Sequence, residues 1–412
     1  MTNLPQECDY LIIGGGILGL CCAHHLRTLY PEARIVLIEK EPALASHASG
    51  RNSGVLHAGF YYSADSLKAK FTKEGNAAWT LYCQEHNLPI NRCGKIIIAT
   101  QEEEEPGLAE LKRRGDINGI SLDWIDPAQA RELEPLARVR NRALWSPTTS
   151  SVNPLQVCAH LELSLINKSV YIGKGVRYIS LLNQKEKFST VHTSAGKISA
   201  ALVINCAGLY ADKIAQNFGY GKDYTLLPFK GIYLKTPQVY TGLRRHLYPV
   251  PNLKNPFLGV HFTLTVEGKV KIGPTAIPGF WREHYEGLDR FDWRELLEIL
   301  KLQSHLFLFN KWGFRSLALE EFKKYKQSHL LNLARKMVHE LEVSRFTEKA
   351  PPGIRAQLLQ KSTGKLVQDF VIEGDTRSLH ILNAVSPAFT CALPFTHWAL
   401  TSQMNQKSPE TN

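Results

Sequence analysis

The run Asp9-Tyr10-Leu11-Ile12-Ile13, followed by Gly14-Gly15-Gly16-Ile17-Leu18-Gly19, restricts the fold more than any other part of the chain. DYLII has the composition of a buried parallel strand. The glycine-rich turn leads directly into a helical run, LGLCCAHHLRTLY, and the next strand, ARIVLIE, ends on Glu39. This is GxGxxG between a strand and a helix, with an acid 20 residues after its last glycine. Each part has a mechanical task. Gly14 permits the tight turn, Gly16 lets the backbone approach a pyrophosphate, and Gly19 lets helix and strand pack closely. The helix N-terminus at Ile17 offers N–H groups and the positive end of a dipole to phosphates. Glu39 would accept hydrogen bonds from ribose hydroxyls, and its charge would repel a 2′-phosphate, so the neighbouring Lys40 does not argue for NADP. The spacing predicts a dinucleotide-binding α/β unit.

At 412 residues the chain has room for two domains, or for one α/β unit with an inserted lobe. No apolar run approaches the roughly 18 residues that would span a bilayer. The N-terminus enters a strand without the basic and apolar regions of an export signal. Cysteines at 8, 21, 22, 83, 93, 158, 206 and 391 form no CxxC pair or Cys/His cluster, which suggests reduced thiols and no metal site. A net charge of +11 suits an anionic small substrate, an anionic membrane surface or a merely solvated basic surface. No basic stripe interleaved with aromatics argues for nucleic acid.

After Glu39 the chain does not begin another simple βα unit. It enters HASGRNSGVLHAGFYYSADSLKAK, residues 47–70. The Ser/Gly/Asn-rich part resembles the flavin-contacting loop of the FAD-dependent amine and hydroxy-acid oxidase superfamily, the D-amino-acid oxidase type. Three further segments resemble it. ALVINCAGLYAD (201–212) is similar to the strand that closes back on the cofactor. GKGVRYISLL (173–182) reads as a strand on the adenine side. ILNAVSPAFTCALPF (381–395) resembles the strand, turn and closing helix near the flavin ring, although Ala388-Phe389 stands where the family has a smaller residue. The implied fold is α/β with an α+β insert: a Rossmann-like FAD-binding domain over 1–90, 150–220 and 346–412, and an antiparallel-sheet substrate domain over 91–149 and 221–345. Within the insert, a helix after Asp292 has Glu295 in capping-box register, and another over 328–343 places Leu330, Ala334, Met337, Val338 and Leu341 on one face.

SGRNSGVLHAGFYY, SLKAK, PFKGIY, YPVP, PFLGVHFT, GPTA and GIRAQ follow in order across residues 8–395. Together they resemble the L-2-hydroxyglutarate dehydrogenase/oxidase family. The resemblance implies FAD-dependent oxidation of L-2-hydroxyglutarate to 2-oxoglutarate, by hydride transfer to flavin N5, with electrons passing to a quinone, another carrier or oxygen. It implies cofactor contacts from Gly14, Gly16, Ile17, Gly19, Glu39, Lys40, Ser49, Arg51, Asn52, Ser53, Val176, Ala207, Gly208, Ser386 and Ala388. The chemistry asks for a base and for cations to hold a dianion. His57 and His261 are the candidate bases, with His261 preferred and Tyr248 beside it, and His57 also a candidate for covalent flavin attachment. Tyr61, Lys68, Lys230 and Arg355 are the candidate substrate contacts; Arg355 could grip a carboxylate in bidentate fashion. A related amine or amino-acid oxidase and a non-catalytic flavoprotein remain open as alternatives. The expected setting is cytoplasmic, with peripheral contact at the inner face of the cell membrane as a second reading. HLFLFNKWGF (305–314) has interfacial composition, though a core or interdomain helix end is preferred for it.

Overall fold

The computed structural model describes residues 4–405 except 186 and 252–256. Two compact units emerge: Met1–Gly50, Pro154–Leu227 and Ala356–Asn412 form the first, and Arg51–Asn153 with Pro228–Arg355 form the second. The expected division had placed 51–90, 150–153 and 346–355 with the nucleotide-binding part and 221–227 with the insert. Strand pairing accounts for the first difference. Val55–Leu56 and Ile90–Asn91 both pair with Ser150–Val152, which ties residues 51–153 into one body.

The first unit is built around a parallel sheet. Strand β1 (Glu7–Ile13) lies between β2 (Ile35–Glu39) and the strand Gly196–Asn205, parallel to both. Tyr171–Lys174 extends the sheet beyond β2, and Ser378–Ile381 pairs in parallel with the far side of Gly196–Asn205. All five residues of β2 are buried, which is why IVLIE shows no polar alternation. Helix α1 (Ile17–Leu29) packs against the helices Pro154–Asn167 and Ala388–Asn405. Cys21 and Cys22 are fully buried on α1, and all eight cysteines are buried and unlinked. The single strand expected over 173–182 is two strands. Tyr171–Lys174 and Tyr178–Gln184 are separated by a turn at Gly175, whose φ is +72°. The second of them pairs antiparallel with Ser189–Thr193.

The second unit holds an eight-stranded sheet whose neighbours are mostly antiparallel; His246–Pro249 and Lys95–Ile98 run parallel, so the sheet is mixed. Side-chain alternation divides its central strands between two environments. Ile96, Ile98, Leu247, Phe262 and Leu264 face one apolar core together with Val270, Ile272, Leu330 and Ala334. Lys95, Ile97, His246, Tyr248, His261 and Thr263 occupy the alternate positions and face the other way. Asp292 caps the helix Trp293–Leu308 by accepting from the backbone N–H groups of Arg294 and Glu295. The Glu295 carboxylate instead accepts from the Arg282 N–H at 2.9 Å. The helix expected over 328–343 ends at Arg335. Beyond it Arg138 and His339 exchange backbone hydrogen bonds with Met337 and Leu136, so Met337 and Val338 are buried by a bridge to Ala137 rather than by helical spacing. Among the described residues no helix is long and apolar enough to cross a membrane.

Candidate functional site

In the first unit the glycines behave as the turn requires. Gly14 has φ +111°, and a Cβ there would lie 2.5 Å from the Cys206 carbonyl oxygen. A Cβ on Gly19 would lie 2.0 Å from the Gly14 carbonyl oxygen, so helix and turn can meet only at glycine. Gly16 is the N-cap of α1, and no acid occupies the first turn. The Ser49 hydroxyl accepts from the Ile17 N–H at 2.9 Å, bringing the loop after β2 to the helix N-terminus. The Glu39 carboxylate accepts from the Gly15 N–H at 2.7 Å and the Glu41 N–H at 2.9 Å. Those two bonds fix its orientation and leave lone pairs on each oxygen for further donors. The Glu39 carbonyl accepts from the Val176 N–H. Lys40 pairs with Glu41, approaches the Nε2 of His47 at 3.1 Å and lies 5.6 Å from the centre of the Tyr210 ring. Ala207 and Gly208 follow the strand Gly196–Asn205, where the Asn205 side chain accepts from the Ala207 N–H. Gly208 has φ +54° and open space where a side chain would stand. Ser386 is exposed, just before the helix that starts at Ala388. A carboxylate acceptor, a helix N-terminus without nearby acids and bare backbone at Gly208 are the donor and acceptor set that an adenine dinucleotide needs. The residues present fit FAD.

Arg51, Asn52 and Ser53 lie in the second unit. The Arg51 guanidinium stacks 4.3 Å from the centre of the Tyr285 ring and donates to the Pro352 carbonyl. Asn52 closes a turn by accepting from the Gly54 N–H, and the Ser53 hydroxyl bonds Tyr233.

The polar face of the second unit's sheet is unusual in its charge. Lys95 is fully buried, and its ammonium has no hydrogen-bond partner among the described residues. It sits 4.1 Å from the centre of the Tyr248 ring, 5.1 Å from Tyr61 and 5.6 Å from Phe60. Burial pushes its pKa down to about 7. The hydroxyl of Tyr61 is likewise buried without a hydrogen-bond partner. His261 stacks on Tyr248, with ring centres 3.7 Å apart and planes 14° from parallel. Its Nδ1 lies 2.9 Å from the Gly259 carbonyl oxygen. A carbonyl can only accept, so Nδ1 carries the proton and Nε2 keeps the basic lone pair.

Burial, and then the Lys95 charge, hold His57 and His261 well below the ordinary histidine value; the other side chains acting on them are neighbouring histidines. His246 is pushed down to about 3 by burial and Lys95. Asn76, on the helix Leu67–Glu85, donates to the carbonyls of Leu56, His57 and Thr148, which pins the backbone on which His57 sits. The cluster therefore gathers His57, His261, Tyr248 and Tyr61 as expected, and adds Lys95 and His246, which sequence reasoning did not single out.

The remaining expected substrate residues lie in the same unit. Lys68 is buried on Leu67–Glu85, with its ammonium 5.9 Å from the centre of the Tyr62 ring. Arg355 stacks 5.1 Å from the centre of the Phe257 ring, and burial lowers its pKa to about 10, against a raising effect of Tyr62. Tyr62 thus adjoins both cations, whereas Tyr61 belongs to the histidine cluster. Lys230 is buried on a separate strand; burial lowers its pKa, opposed by Glu286, and its charge helps hold His284 down at about 4.

Residues 9–311 match the model of a family described as FAD dependent oxidoreductase. The L-2-hydroxyglutarate dehydrogenase of Escherichia coli K12 is 35% identical over 395 residues, covering 94% of this chain and 90% of that protein. The mitochondrial L-2-hydroxyglutarate dehydrogenase of mouse is 36% identical over 407 residues, covering 92% and 85%. Among solved structures, the L-alpha-glycerophosphate oxidase of Mycoplasma pneumoniae with FAD bound superposes with a TM-score of 0.76 at 22% identity, covering 99% of this chain and 97% of that one. Glycine oxidase of Geobacillus kaustophilus gives 0.73 at 17% identity with the same coverage. These two share the fold.

Proposed function

This chain belongs to the FAD dependent oxidoreductase family, among the L-2-hydroxyglutarate dehydrogenases, and from that premise we propose that it uses FAD to oxidise L-2-hydroxyglutarate to 2-oxoglutarate. The first unit serves as the FAD-binding domain and the second as the substrate domain. Gly14 to Gly19 and the N-terminus of α1 would hold the pyrophosphate, Glu39 the ribose diol, and Val176 the adenine side. Lys40, Ser49, Ala207, Gly208, Ser386 and Ala388 complete that set within the first unit. Bound FAD supplies the two-electron acceptor.

The observation that carries the substrate reading is the buried basic cluster around His261. Its tautomer leaves Nε2 able to take the proton of the 2-hydroxyl group, and stacking on Tyr248 fixes the plane in which that lone pair points. Lys95, a buried ammonium among basic neighbours and without a hydrogen-bond partner among the described residues, makes the local potential positive and favours an anion over a neutral amine. Arg355 and Lys68, both close enough to Tyr62 to interact with it, bind carboxylate, and Lys230 adds a third cation. His57 is held neutral as a second acceptor beside the hydroxyl. The partners are thus a small dicarboxylate and an electron acceptor, which is a quinone, another carrier or oxygen. Eight buried, unlinked thiols support a reducing, cytoplasmic setting.

Anaerobic titration of the flavin-loaded protein with each enantiomer of 2-hydroxyglutarate tests this. The L form is expected to bleach the flavin band, and the D form to leave it. If dithionite reduces the flavin and L-2-hydroxyglutarate does not, the substrate assignment is wrong.

A further inference from the structure

Register sets three residues in one row at the carboxyl edge of the first unit's parallel sheet: Ile13, Asn205 and His380. Open α/β sheets take their ligands outside this edge. Ile13 leads into the Gly14 turn, and Asn205 leads into Cys206-Ala207-Gly208. His380 leads into neither, yet Asn205 and His380 are both fully buried. The hydrogen bonds along the row can run in only one sense. The Ala207 N–H donates to the Asn205 side chain at 3.1 Å, which identifies the atom it reaches as the amide oxygen. The amide nitrogen donates to the Ala211 carbonyl at 2.8 Å. That nitrogen also lies 3.2 Å from Nδ1 of His380, so Nδ1 accepts and the ring proton sits on Nε2.

The same ring is poorly served in every other respect. Nε2 is buried with no hydrogen-bond partner among the described residues, and the rings of Phe218 and Tyr220 stand 5.0 and 5.4 Å from the imidazole, centre to centre. A buried N–H left unsatisfied costs stability, and a hydrocarbon side chain would suit these neighbours better. What only the imidazole supplies here is the acceptor at Nδ1. Burial holds its pKa down at about 4, against the charge of Asp375, so that acceptor stays unprotonated at neutral pH. Asn205 passes the constraint on. The Cys206 N–H donates to the Ile13 carbonyl at 2.9 Å, and the Cys206 carbonyl oxygen stands 2.5 Å from where a Gly14 Cβ would be. A shift of residues 206–208 therefore disturbs the turn that receives the pyrophosphate. We propose that His380 is a positioning residue for FAD, holding the Asn205 amide through Nδ1 and so holding Cys206, Ala207 and Gly208 against the Gly14 turn. The inference rests on the FAD assignment of the first unit and is independent of which substrate is oxidised.

Flavin release on dilution of the full-length, flavin-loaded protein, read by fluorescence, tests it. His380→Leu is expected to weaken FAD binding about tenfold. His380→Asn places an amide oxygen close to where Nδ1 stands and should stay within about threefold of the wild type. His380→Gln carries its acceptor one carbon further, toward Nε2, and should weaken binding as the leucine does. Asn205→Ala should weaken binding too, and adding His380→Leu to it should change nothing further, because the histidine acts through the asparagine. Release from His380→Leu no greater than from the wild type overturns the proposal. Effects of the two substitutions that simply add overturn it as well. Where His380→Leu does not fold, the Asn and Gln variants decide, and equal release from those two overturns it. A wild-type protein that retains no FAD overturns the cofactor assignment, and this inference with it.

Discussion

His261 and Lys95 illustrate how a single side chain acquires a role from its surroundings. An imidazole whose Nδ1–H is tied to the Gly259 carbonyl can act only through Nε2. His261→Asn keeps a hydrogen-bonding side chain but removes the proposed base, and kcat is expected to fall about 10²–10⁴-fold while FAD stays bound, as read by anaerobic stopped-flow reduction. Lys95 acts at a distance. Below its pKa of about 7 it is protonated and depresses His261, so the base stays neutral in moderately acidic solution. Lys95→Met should therefore move the acid limb of the kcat/KM profile to higher pH and raise KM for the anionic substrate. An unmoved limb would show that the two groups are not coupled. Neither effect was fully legible in the sequence. His261 stood out in the alternating run FLGVHFT, and His246-Leu247-Tyr248 shows the same alternation. Lys95 was hidden because the three isoleucines after it obscure the period of its strand, and because a lysine's burial depends on strand pairing that the local sequence does not encode.

At the scale of elements, the β1–α1–β2 unit was the most legible part of the chain, because its constraints are local. A glycine whose Cβ would lie 2.0 Å from a backbone carbonyl oxygen leaves a mark on the sequence itself. Gly19→Ala should accordingly yield protein depleted in flavin, with a low ratio of 450 nm to 280 nm absorbance and a lowered unfolding midpoint. Gly175→Ala is the matched control: its positive φ is strained by roughly 1 kcal/mol, but no atom lies within 4 Å of the added methyl, so flavin content should be retained. Elements set by distant partners were less legible. Periodicity predicted a helix through 328–343, yet the bridge between Val338 and Ala137 competes for the backbone there, and the same side chains are buried without a helix. The capping-box spacing at Asp292 and Glu295 likewise identified the helix start but not the partner of Glu295, which lies 13 residues upstream at Arg282.

Over the whole molecule, buried histidines set the response to acid. His25, His284 and His380 are each held near pKa 4 and His246 near 3, burial being the leading cause in every case, and His57 and His261 also lie well below the ordinary value. In the unfolded chain these rings take up protons near pH 6.5, while in the folded protein the first four stay neutral until about pH 3–4 and His57 and His261 also resist protonation. The unfolded state therefore binds more protons throughout that window, and stability falls as pH drops from 6.5 toward 4. Urea unfolding at pH 7.5, 6 and 5 should show a steadily falling midpoint; a midpoint unchanged between pH 7.5 and 5 would contradict the burial of these rings. Motif order led to an expectation of two parts, and the two compact units have other boundaries, since Val55–Leu56 and Ile90–Asn91 join the second unit through pairing with residues some 60 to 95 positions away. The chain passes between the two units four times, near 50, 153, 227 and 355. That connectivity has a consequence for biosynthesis. β1 leaves the ribosome long before its partners: its sheet gains Ser378–Ile381, and α1 its neighbour Ala388–Asn405, only after some 365 more residues. At about 5–20 residues per second, the apolar face of β1 and α1 waits roughly 20–70 s for its last partners. A nascent chain of this design depends on being shielded during that wait, and a truncation that removes Ser378–Ile381 and Ala388–Asn405 would be as damaging as the loss of β1 itself.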